Sequence, residues 1–249
     1  MKNIFFYLLI IPFFLLTSCV SKKKIVYFQG SQNFSNSSSN YEPIIQNDDI
    51  LSIYVSAQDS EAALPFNLGT TVQGNTLNTT IQNYLVDNKG NIEFPVIGTT
   101  TVAGYSIEEL KILLKEKLKK YIKDPVVNIR ISNFKITILG EVSSPGVKIS
   151  SGQRFTLLDA IGLAGDLTLY GQRENILIIR DFQGIKTFNR VDITKADFVN
   201  SPFFYLDQND VIYVESRKVK IDSTAIGTNI TTAISIVGFA LSLILLITK

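Results

Sequence analysis

The chain of 249 residues contains no histidine and a single cysteine, Cys19. Without histidine, no Ser-His-Asp triad, Cys-His pair or histidine-based metal site can be assembled. A lone cysteine excludes an intramolecular disulfide, so the fold depends on core packing. No glycine-rich phosphate loop is present, so any transport driven by nucleotide hydrolysis draws its energy from another protein. Net charge is also small. The 24 Lys and Arg against 22 Asp and Glu leave a formal +2 and no electrostatic case for nucleic acid. Paired carboxylates would serve a glycosidase, but the acids are scattered through turns and helix starts with no matched spacing. Enzyme is the disfavoured class, and no metal or soluble cofactor is expected.

The N-terminus reads Lys2, then an apolar run from Ile4 to Leu16 broken by Pro12, then Thr17, Ser18 and Cys19. This is the charged, apolar and small-residue order of a secretory signal. The run falls short of the about 20 residues that span a bilayer. Leu16-Thr17-Ser18-Cys19 resembles the bacterial lipobox, in which the cysteine is acylated and the preceding peptide bond is cut. Residues 1–18 are therefore read as a lipoprotein signal and Cys19 as the lipid attachment, the covalent lipid being the one added group. An ordinary signal with a chance cysteine, or an uncleaved anchor, is the alternative. Cys19 is the sole cysteine and stands where a lipobox places it, which favours acylation. Residues 19–40 read as a lipidated tether: Lys22, Lys23 and Lys24 adjoin the lipid, and Gly30 to Asn40 is almost all Ser, Asn, Gln and Gly. The about 230 residues left after cleavage suffice for one large or two small domains.

From Tyr41 the texture changes. Asp49 to Val55 alternates as a strand does, and Gln58 to Gln82 reads as a long polar loop, with short strands inside it as the alternative. Tyr84-Leu85-Val86, the turn Asp87-Asn88-Lys89-Gly90 and Asn91 to Pro95 give a hairpin signal. Ser106 with Glu109 three residues on predicts a capping box opening a helix to about Tyr121, with Ile107, Leu110, Leu113, Leu114, Leu118 and Tyr121 inward. Asp124-Pro125 stops it, and Val126 to Ile131 reads as a strand. The second unit runs through strand Lys135 to Gly140, the Ser144-Pro145-Gly146 turn and a helix opening at Thr156. Strands Asn175 to Arg180, Lys186 to Asn189 and Asp210 to Val214 follow. The fold class is α+β: two small β-rich domains, 41–132 and 133–216, a linker 217–229 and a C-terminal membrane helix 230–248. That helix would be about 28 Å long, near the hydrocarbon thickness. Thr231, Ser235, Gly238 and Ser242 share one stripe of it, either a pore-facing or packing seam or the small side of a plain anchor.

These residues carry a family resemblance. YEPIIQNDDILSIYV and VDNKGNIEFPVIGTTTVAGYSIEEL resemble the export domain of Wza-type outer-membrane polysaccharide export lipoproteins. ITILGEVSSPGVKIS, TLLDAIGLAGDLT and DVIYV resemble the ligand-binding (SLBB-type) β-grasp domain that follows it in that family. Three departures stand out: a single β-grasp module, Gln46-Asn47-Asp48-Asp49 where Gly-Pro-Gly-Asp is usual, and a terminal helix more uniformly apolar than the amphipathic one of the best-known members. The resemblance implies an outer-membrane, lipid-anchored protein with its body in the periplasm. It implies a homo-oligomeric ring of about eight subunits passing capsular or exopolysaccharide, since one helix per chain encloses no lumen. It further implies an inner-membrane co-polymerase or tyrosine kinase as partner. A monomeric, periplasm-facing glycan-binding lipoprotein is the alternative. Asp49, Asp87 and Glu141, in the most family-like stretches, are candidates for sugar or subunit contact, with turn capping as the competing role. Tyr84, Tyr105 and Tyr170 are candidates for stacking on sugar rings, with core packing as theirs.

Overall fold

Alternation along Ile50–Ser56 (β1) turns Leu51, Ile53 and Val55 into the core and leaves Tyr54 outside. Our computed structural model describes residues 22–30, 41–67, 70–73, 76–79, 83–150, 152, 154–182, 184–218, 220, 232, 234–239 and 242. The signal 1–18, Cys19, Thr231 and most of the expected membrane helix lie outside them. Within Gln58 to Gln82 the short strands are present, as the antiparallel pair Thr70–Gln73 (β2) and Thr76–Thr79 (β3), and an unexpected short helix Ser60–Ala63 (α1) precedes them.

Strand β1 is the centre of an antiparallel sheet, flanked by Asn83–Leu85 (β4) and Val126–Ile131 (β7). The expected β4 hairpin is corrected here. The turn at Asp87 forms, with the Asp87 N–H donating to Asn91 O at 2.9 Å. The next strand, Asn91–Phe94 (β5), pairs instead with Gly98–Thr101 (β6). The cause is Gly90, whose carbonyl accepts from Val102 at 2.8 Å and Ala103 at 3.0 Å and draws the chain away from β4. Helix Ile107–Leu118 (α2) opens with the predicted capping box: Glu109 N–H donates to Ser106 Oγ at 3.2 Å, and Ser106 N–H to Glu109 Oε2 at 2.8 Å. Such a cap contributes about 1 kcal/mol. Ile107, Leu110, Leu114 and Leu118 are buried, each worth about 1.5–3 kcal/mol relative to exposure. Tyr121 lies beyond the helix end and is exposed.

The second unit is a five-stranded sheet of Lys135–Gly140 (β8), Gly146–Ile149 (β9), Gly171–Phe182 (β10), Ile185–Val191 (β11) and Val211–Ser216 (β12), arranged in the order β11-β10-β12-β8-β9. The first and last of these, β8 and β12, run parallel side by side, and helix Leu157–Leu163 (α3) packs against the sheet. Gly140 is required there: its φ is +92°, and an added Cβ would sit 2.0 Å from the Val214 carbonyl oxygen.

The two units meet across Ser132 to Phe134, and their buried apolar side chains form one connected cluster. Asn133 bridges them. Its amide donates to Asp48 O and its Oδ1 accepts from Ile50 N–H, both at 2.9 Å, while Gln208 Nε2 donates to Asn133 O at 3.0 Å. Tyr41 stacks on Tyr205 at 4.7 Å and donates to Asp207 Oδ1 at 2.6 Å. Arg180 then bridges Asp207 and Asp210 at 2.8 and 2.7 Å. Burial opposes the charge on Arg180, but the hydrogen bond and field of Asp210 hold its proton.

Part of the segment read as a tether is not free chain. Tyr27 donates to Asp166 and lies under the Arg173 guanidinium at 5.4 Å, and Ala196 N–H donates to Gln29 O at 3.0 Å. Residues 22–30 therefore lie along the second unit. Tyr27 supplies the apolar contact, packing partly buried against the core. Among the described residues, no helix is long and apolar enough to cross a membrane. Residues 234–239 are helical, with Ile234, Ile236, Val237 and Phe239 all exposed.

Candidate functional site

Beside the junction opens a cleft of about 660 Å³. Three loops far apart in sequence build it: Ile44 to Asp48 before β1, Asn88 to Gly90 with Ala103 and Gly104 around the β5-β6 pair, and the β10-β11 turn at Asp181, Phe182 and Gly184. Its volume lies within the range of small-ligand sites. The wall is rich in amides and charges, from Gln46, Asn47, Asn88 and Asn209 to Asp48, Asp181 and Lys89, with Phe182 as its aromatic ring. Amides both donate and accept, and a ring face packs against C–H bonds, so the cleft matches a polyhydroxylated ligand such as a sugar. Nothing in the sequence marked Phe182, Asn209 or Asn88, because only the fold brings their loops together.

The acids singled out from sequence are structural. Asp49 is fully buried at the base of this loop, where its Oδ2 accepts from Gln46 N–H at 2.9 Å. Burial pushes its carboxyl up to about 6, against the Gln46 N–H and the Gln208 side chain, which favour the charged form. Asp87 Oδ1 accepts from the N–H groups of Lys89 and Asn91, both at 2.8 Å. The Asn91 bond leads in holding its carboxyl below the ordinary range. Glu141 pairs with Lys220 and accepts from Thr168 at 2.8 Å and Ser216 at 3.1 Å. The Lys220 bond, first among these, lowers its carboxyl too. All three fix turns or strand ends.

The aromatic candidates separate. Tyr84 is buried, stacked on Phe94 at 5.4 Å, and burial pushes its hydroxyl up to about 12. It is a core residue. Tyr105 and Tyr170 are exposed, and neither lines the cleft. Of the small-residue seam, Ser235, Gly238 and Ser242 fall on helical residues, and Ser242 Oγ donates to the Phe239 carbonyl at 2.7 Å, back into its own helix. Among the described residues, no cluster of His, Cys, Asp and Glu has the makings of a metal site.

Residues 37–132 match the family described as "Polysaccharide biosynthesis/export protein". The first unit is a polysaccharide export domain. The Wza-type resemblance read from its motifs therefore holds, and the export domain supplies the Ile44 to Asp48 and Asn88 to Gly90 walls of the cleft. The chain is also similar to the EPS I polysaccharide export outer membrane protein EpsA of Ralstonia nicotianae, 29% identical over 104 residues. That alignment covers 40% of this chain and 27% of the relative. The protein of the same name from Ralstonia solanacearum is 29% identical over 104 residues, 40% of this chain and 28% of that one. The chain thus matches little more than a quarter of the length of these relatives.

Proposed function

We propose that the protein is a non-enzymatic outer-membrane component of polysaccharide export that assembles into a ring and passes capsular or exopolysaccharide to the cell surface. The observation that carries this reading is the match of residues 37–132 to the polysaccharide export family, supported by the chain's similarity to proteins named for outer-membrane polysaccharide export. In this reading Cys19 bears the lipid, the body lies in the periplasm, and the second unit is a ligand-binding β-grasp module. Residues 230–248 cross the membrane with Thr231, Ser235, Gly238 and Ser242 towards the lumen or a neighbouring helix. A closed ring of about eight chains supplies the polar path that a single helix does not. An inner-membrane co-polymerase or tyrosine kinase delivers the polymer and the energy. Conductance across planar bilayers tests the reading: reconstituted full-length protein opens discrete channels, and a chain that inserts without conducting contradicts it. The polar cleft with Phe182 favours one second reading, a monomeric glycan-binding lipoprotein, for which saturable sugar binding without conductance is the signature.

A further inference from the structure

Residues 22–24 and the chain just after β12 lie side by side on the second unit. Arg217, buried just after β12, donates from Nη2 to the Lys24 carbonyl, and its own N–H donates to Tyr170 O at 2.8 Å. Lys220 lies over the Tyr170 ring at 5.8 Å and pairs with Glu141. One end of the β10-β12 pair, where Gly171 meets Ser216, thereby gathers basic side chains from both ends of the chain. Lys23, Lys24 and Lys218 are exposed there and form no ion pair among the described residues. The acids nearby are occupied: Glu141 holds Lys220, Glu174 accepts from Arg217 at 3.4 Å, and Asp166 accepts from Tyr27. Leu169 projects from the same loop at 68% exposure, with Tyr170 beside it and Val26 and Phe28 exposed on the N-terminal segment.

Unpaired lysines around projecting leucine, valine and aromatic side chains combine the two attractions of a bilayer interface: anionic head groups and a shallow apolar layer. Charge complementarity and the continuation of the chain towards the apolar residues 230–248 name the occupant. We propose that this end of the second unit docks on an anionic bilayer surface. Lys23, Lys24 and Lys218 then meet phosphates, Leu169 and Tyr170 enter the interface, and the sheet stands end-on to the membrane. The proposal rests on the membrane-attached reading above and adds a contact that neither the lipid nor the terminal helix requires.

The chain has no tryptophan, so one introduced tryptophan reports alone. Full-length L169W protein is reconstituted in phosphatidylglycerol-containing or pure phosphatidylcholine vesicles carrying a head-group spin label. F188W serves as the control. Phe188 pairs with Ile179, eight residues along β10 from Gly171 and so about 26 Å from the patch. The L169W emission is expected to be quenched in anionic vesicles, weakly in neutral ones, and less as salt rises, with F188W unquenched in both. Lys23→Glu, Lys24→Glu and Lys218→Glu together shift the docked ratio on the order of 100-fold towards undocked. L169W unquenched in anionic vesicles that still carry the protein overturns the docking and leaves membrane attachment standing. Quenching that follows protein concentration rather than lipid charge assigns Leu169 to a protein interface and also overturns it. Protein that floats with neither vesicle overturns both readings.

Discussion

At the end of the five-stranded sheet that faces the export domain, Arg180 is enclosed with Asp207 and Asp210, and Tyr41 closes over Asp207. At the end where Gly171 meets Ser216, Lys23, Lys24 and Lys218 point outward with no such partner among the described residues. The same residue chemistry is thus used in two ways within one unit. Paired and buried, it fixes how the two units meet; exposed and unpaired, it adds nothing to the fold and is available to a surface of opposite charge. Substitutions at the paired, buried end should damage the protein, and those at the exposed end should only change what it touches.

The largest effect is expected at the closed end. Asp210→Ala removes the fully buried one of the two carboxylates that pair with part-buried Arg180, and the loss should be about 3 kcal/mol, the low end for a buried pair because Asp207 still faces the guanidinium. Lys218→Ala at the open end should stay within about 0.5 kcal/mol. Urea unfolding of both variants measures the contrast, and equal losses would break the comparison. Gly140→Ala is next. Forcing a Cβ onto the Val214 carbonyl at positive φ should cost about 3 kcal/mol and loosen the β8-β12 pair, seen as faster amide exchange along both strands.

Asp49 sharpens the comparison through pH. Its carboxyl sits near 6 in the folded chain and at the ordinary 3.8 unfolded, so the folded state holds the proton more tightly. Its contribution to stability is therefore fully present below about pH 4 and is lost as pH rises through about 6. The loss is up to about 3 kcal/mol for a fully buried group. Asp49→Asn keeps an acceptor for Gln46 N–H and should abolish that slope, so the variant gains on the native chain between pH 4 and 6. The smallest effect concerns the cleft. Phe182→Ala should leave unfolding almost unchanged and weaken oligosaccharide binding by about 1 kcal/mol, near fivefold, in calorimetric titration.

Local signals were legible where local physics decides. The Ser106 and Glu109 capping box, the strands at Val126 and Lys135 and the helix opening at Thr156 all lie where residue patterns placed them. Pairing was not legible, because β4 finds its partner in β1, more than thirty residues earlier, through a sheet no turn announces. The turn acids were ambiguous for a related reason: Asp49, Asp87 and Glu141 look alike in sequence, and only burial and partners distinguish them. The cleft was invisible, since Asn88, Phe182 and Asn209 become neighbours only when two units close on each other.

The proposed export route needs a closed assembly of chains. The most direct measurement is the mass of the full-length lipidated protein in mild detergent, by light scattering or single-particle imaging. The account predicts a closed ring with a mass of about eight times the 27.7 kDa chain, less its signal. A particle of one chain's mass, unchanged across protein concentrations, would contradict it.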